Sequence, residues 1–247
     1  MSEIQFKYIK KDQVETHTVT LPDSWEPMDE RHLLDFTYCN HLPEEFSLKH
    51  ESFLFRMLRI PMKLYKRINQ AQKNDIIKAL EFLTTDINCP KWIVRSKNTF
   101  PKGATPPDAS FINITVDVFV NANNHFENYV ETREETYLNN LCAALYASNL
   151  TGWKAVPIHI REAIYLNFRG ILNYWAKAFP LIHQNSGGDN HFGWPGIIYD
   201  IAGGKLGTTD EVQQKPIKNI LFIMEKIEFD RQKSENTTDQ PVNQGYQ

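Results

Sequence analysis

The stretch that decides the fold is residues 157–182, PIHIREAIYLNFRGILNYWAKAFPLI. Read at helical period, Glu162, Arg169, Asn173 and Lys177 fall on one narrow stripe. Ile160, Ile164, Phe168, Ile171, Leu172, Trp175, Ala178 and Phe179 cover the rest of the cylinder. A helix with so thin a polar stripe cannot rest on a surface and must be wrapped by neighbours on most sides. Each large apolar side chain buried is worth roughly 1.5–3 kcal/mol, so this segment can contribute more than any other. Pro157 suits the first turn, where a missing N–H is no loss. Pro180 cannot donate to the preceding turn and marks an end or a kink.

Working outward, the chain before and after this helix is also written mostly at helical period. Asp29 can cap a helix carrying Leu33, Leu34, Phe36 and Leu42. Ser47 can start another with Phe53, Leu54, Met57, Leu58 and Ile60, broken by Pro61, and a third begins near Ala71 with Ile76, Ile77, Leu80, Phe82 and Leu83. Val118, Ala122, Phe126 and Tyr129 form one later stripe, and Leu138, Leu141, Cys142 and Leu145 another. A short helix opened by Pro195 should close at Gly203-Gly204, and Thr208-Thr209-Asp210-Glu211 has the spacing of a capping box. The last helix is expected from about Pro216 to Lys233.

The exception is the start. Ile4, Phe6 and Tyr8 alternate with polar residues, as do His17, Val19 and Leu21, around a turn at Lys11-Asp12-Gln13. This predicts a β-hairpin over about residues 3–21, and since two strands alone are marginal in water it must pack on helices or pair with another chain. The fold class is therefore mainly α, a multi-helix bundle-like domain with a small N-terminal hairpin. Residues 1–86 form the hairpin and first helices, 87–110 an irregular connection with a short extended piece at Trp92-Ile93-Val94, 111–233 a helical domain on the 157–182 helix, and 234–247 a disordered tail. The irregular connection is read as a boundary between subdomains.

Composition narrows the function. The 247 residues are 41% hydrophobic and 12% aromatic, enough for a folded core. The net charge is −3 with no basic block, so nucleic acid is not an expected partner. No stretch is an uninterrupted apolar span, so no membrane is expected. Cys39, Cys89 and Cys142 share no CxxC spacing and read as reduced thiols of an intracellular protein, with Cys142 a small buried hydrophobe. The loop HQNSGGDNH offers His183, Asp189 and His191, ligand types that suit zinc or iron, but the spacing fits no metal motif. Cys39 with His41 and His50 is a weaker group of the same kind. No catalytic signature occurs, and no catalytic, metal or cofactor residue is assigned. What remains is binding. Trp25, Trp153 and Trp194 sit near loops, where aromatics serve either as lids over a core edge or as contact surface. Thr16, Thr18 and Thr20 suit an exposed strand face, and an open hairpin edge is a template for strand addition.

Three stretches carry a resemblance. They are LPDSWEPMDERHLLDF after the hairpin, then HFENYVETREETYLNNLCAALY with HIREAIYLNFRGILNYWAKAFP, and finally FGWPGIIYDIAGGKLGTTDEVQQKPIKNILFIMEKIEFDRQ. Together they resemble virion and tail-assembly proteins of tailed phages and prophages, especially those of Bacteroidetes-type hosts. The resemblance implies a non-enzymatic role in tail assembly in the host cytoplasm, with other phage tail or connector proteins as partners, a homo-oligomer as an option, and incorporation into the virion as another. It implies no cofactor, and the family has no functional residues to carry over. A head-to-tail connector ring subunit is one alternative; an enzyme of unknown type using the 183–191 loop is the other.

Overall fold

The computed structural model describes residues 2–10, 13–43, 49–87, 94–95, 99–184 and 206–238. The chain is mainly helical with an N-terminal two-stranded antiparallel hairpin, as the periodicities require. The strands are β1 (Ser2–Lys10) and β2 (Gln13–Leu21). The helices are α1 (Glu30–Asn40), α2 (Lys49–Leu58), α3 (Met62–Tyr65), α4 (Gln70–Ala79), α5 (Val116–Thr132), α6 (Glu135–Leu145), α7 (Leu150–Trp153), α8 (Ile158–Ala178), α9 (Pro180–Gln184), α10 (Thr209–Gln213) and α11 (Ile217–Thr238). No helix among the described residues is long and apolar enough to cross a membrane.

Local chemistry sets most of these boundaries. The Asp29 side chain accepts from the His32 N–H at 2.9 Å and starts α1. Asn69 and Gln72 form a reciprocal capping box at α4, and Thr208 with Glu211 forms the expected one at α10. The Pro157 carbonyl accepts from Ile160, and α8 then runs to Ala178, where Pro180 ends it and opens α9. The last helix continues through Thr238, past Lys233 where the tail was expected to begin, while residues 239–247 lie outside those described. The short helix expected after Pro195 lies outside them as well.

The chain divides into two compact units, residues 1–111 with 122–174, and 112–121 with 175–247. The division does not fall at 87–110. That segment belongs to the first unit because its described residues are anchored there: Ile87 and Val94 are buried, and the buried Tyr146 hydroxyl donates to the Val94 carbonyl at 2.7 Å. Phe100 packs its ring on Tyr146 and Trp153, and the Thr105 N–H donates to the Tyr146 carbonyl at 2.9 Å. Of the expected extended piece, only Val94 is described.

In the first unit, α8 is wrapped as its sequence demands. Ile160, Ile164, Phe168 and Ile171 are buried, with Phe168 edge-on to both Phe111 and Phe126. One buried residue of α8 is charged. Arg161 donates through Nε to the Val156 carbonyl at 3.0 Å and through one terminal nitrogen to Glu135 at 2.9 Å and Asn139 at 2.6 Å. In the second unit, Thr115 pairs with Pro216 as an isolated bridge, and Ile217, Ile220 and Leu221 of α11 are buried. The Glu225 carboxylate accepts from the Leu181 and Ile182 N–H groups, satisfying free donors at the start of α9.

Candidate functional site

The hairpin is built from largely alternating sequence, with Ile9 and Val14 out of step on the face of the threonines. Its register runs without a bulge from Ser2 opposite Leu21 to Lys10 opposite Gln13, leaving a two-residue loop. A loop of two residues makes its flanking residues a hydrogen-bonded pair, and such pairs alternate along the ladder. Gln13, Glu15, His17, Val19 and Leu21 therefore bond β1. Val14, Thr16, Thr18 and Thr20 turn their N–H and C=O groups away from it. The side chains follow the same alternation. Phe6, Val19 and Leu21 are buried on the face that packs on α2 and α4, whereas Thr16, Thr18 and Thr20 are exposed and Val14 is 69% exposed. The hairpin thus does both things open to it: one face covers helices, and the β2 edge is joined by no third strand among the described residues.

The tryptophans do not extend this surface. Trp25 is buried, edge-on to Phe36 and Phe82 at 5.9 and 5.4 Å. Trp153 is fully buried, donates through Nε1 to Ser148 Oγ at 2.6 Å and packs on Phe100 and Tyr146. Both act as lids over the core, the first of the two roles open to them, and neither adds to an exposed contact surface. A tryptophan beside a loop covers the end of a core as readily as it faces a partner, and periodicity does not distinguish the two. Trp194 lies outside the described residues.

The thin polar stripe of α8 also has a destination. Glu162 accepts from the Tyr129 hydroxyl, Arg169 pairs with Asp86 at 2.9 Å, and Asn173 donates to the Ile87 carbonyl at 2.8 Å. Glu162, Tyr165, Leu166 and Arg169 form one wall of a cleft of about 350 Å³, with Trp25 and Phe36 on another side. Arg133, held at φ 59° just past α5, lies over the rings of Tyr129 and Tyr165 at 5.4 and 5.8 Å. The charges here are matched within the chain, Arg169 with Asp86 and Arg133 near Glu162. A broader groove of about 1110 Å³ is lined by apolar residues, Phe36, Phe53, Leu54 and Ile77 among them, and by as many polar ones, including Lys49, His50, Lys78 and Glu81.

The remaining reactive groups are held in structural settings. Burial pushes the Cys142 thiol well above its ordinary range, the opposite of what a nucleophile needs. Burial raises the Cys39 thiol too, while its sequence neighbours His41 and His50 are exposed. Burial also raises Tyr65 and Tyr129, helped by the carboxylates of Glu51 and Glu162 that accept from them. Partial burial of Asp29 works against its ionisation, yet hydrogen bonds from Arg59 and the His32 N–H hold its carboxyl well below the usual range. Among the described residues no three His, Cys, Asp or Glu side chains are grouped to hold a metal ion. Asp189 and His191, and the His183 side chain, lie outside those described.

Comparison with known protein families finds none that matches, and comparisons with curated proteins and with solved structures find no match either.

Proposed function

We propose that this is a non-enzymatic binding protein whose contact is strand addition along β2, and that its setting is the assembly of a phage or prophage tail. One observation carries the mode of binding: a straight nine-residue edge whose outward residues are Val14, Thr16, Thr18 and Thr20, with neither lysine nor proline among them. The phage setting rests on the resemblance of the helical stretches.

Thr18→Pro tests it. The Thr18 N–H points outward, so proline there removes a donor for a partner strand and none from the hairpin ladder. His17, the residue before it, is already extended, the conformation that a following proline favours. The wild-type chain is expected to co-purify with tail proteins from infected or prophage-induced cells, and the variant to lose them at unchanged helical content. A variant that recovers the same partners removes the hairpin from the contact. A wild-type chain that recovers none removes the assembly role.

A further inference from the structure

The edge assigned above to strand addition is complementary to itself, and we propose that in the isolated protein it is occupied by β2 of a second copy. This rests on that reading of the edge and names its first occupant, for which a tail protein would later exchange. Two antiparallel copies of β2 can pair all four outward residues in one register alone. Val14 then lies opposite Thr20, Thr16 lies opposite Thr18, and the twofold axis passes through His17, which faces its own copy in a pair without hydrogen bonds. Shifting the register by one residue sets outward groups against inward ones, and shifting it by two leaves outward groups without a partner.

The side chains agree with the backbone. The pairs on the exposed face are neutral and β-branched throughout, threonine with threonine and valine with threonine, a favourable class of cross-strand neighbour. No like charges oppose one another on that face. The outer edge of β1 differs, because its outward residues include Glu3 and Lys7, the kind of charge that blunts an edge. Pairing is thus directed to β2 with β2, which closes as a dimer, and away from β1 with β2, which would stack without end. Joining two hairpins also makes a sheet of four strands out of two that are marginal alone.

Light scattering during size-exclusion chromatography reads the mass, and twice the 28.8 kDa of one chain is expected. Thr18→Pro is expected to shift it to the mass of one chain. A second variant keeps the test independent of whether that one folds. In the stated register two His17→Cys residues face each other with Cβ atoms roughly 4.5–5.5 Å apart, close enough for mild oxidation to link them. Thr20→Cys, which faces Val14, should stay unlinked, with the wild-type chain and its own three cysteines as the background. A single-chain mass at every concentration overturns the proposal, as does a Thr18→Pro chain that folds and still dimerises, or linking that is equal at positions 17 and 20. A monomeric wild type that still captures tail proteins through Thr18 refutes the dimer while leaving strand addition intact.

Discussion

Replacing Arg161 by methionine keeps the length of the side chain and removes its charge from the wall of α8. Arg161 is 4% exposed, and its three acceptors fare differently once it is gone. The Glu135 side chain is 60% exposed and regains water at little cost. Asn139, itself buried, and the Val156 carbonyl lose their donor inside the protein. A buried acceptor left without its donor costs about 1–3 kcal/mol, and methionine recovers part of the packing, so Arg161→Met should destabilise the first unit by about 3 kcal/mol. Glu135→Gln should cost less, about 1 kcal/mol, because the glutamine carbonyl oxygen can still accept from the guanidinium and only the charge of a largely exposed group is lost. Urea unfolding followed by tryptophan fluorescence reads the difference, since Trp25 and Trp153 are both buried in that unit. An Arg161→Met chain within about 0.5 kcal/mol of wild type, or a Glu135→Gln chain equally damaged, refutes the reasoning.

Two further outcomes follow from the same packing. Burial holds the imidazoles of His32, His125 and His159 below their ordinary value of 6.5, so they fold neutral. The stability this gives is complete above that value and lost as the pH falls below it, so Tm should drop between about pH 7 and about pH 5, and a flat profile would contradict it. Tyr146→Phe removes the hydroxyl that holds the Val94 carbonyl. It should cost about 1–2 kcal/mol and speed amide exchange at Arg95, and unchanged exchange there would show that the segment is held otherwise.

The sequence made α8, its caps and the hairpin legible because period and capping chemistry are local. Glu162, Arg169 and Asn173 stood out as a stripe, but their partners Tyr129, Asp86 and Ile87 lie far away in the chain, where spacing gives no purchase. Arg161 is illegible in the sequence for a related reason. A single charge beside His159 and Glu162 gives no local sign of burial, and its acceptors on Val156, Glu135 and Asn139 make that burial tolerable. The segment 87–110 read as a boundary because it lacks period, yet Val94 and Phe100 are tied to Tyr146 by contacts that need no regular structure. At the hairpin, alternation showed which threonines are exposed, and the two-residue loop then decided which backbone groups face outward.

Residue-by-residue amide hydrogen exchange along β2 tests strand addition most directly. It compares the isolated chain, diluted until it has the mass of a single chain, with the complex co-purified with its tail partner. The N–H groups of Thr16, Thr18 and Thr20 should exchange fast in the dilute chain and become protected in the complex, while those of His17 and Val19, already bonded to β1, change little. Thr16, Thr18 and Thr20 exchanging equally fast in both states would contradict the account.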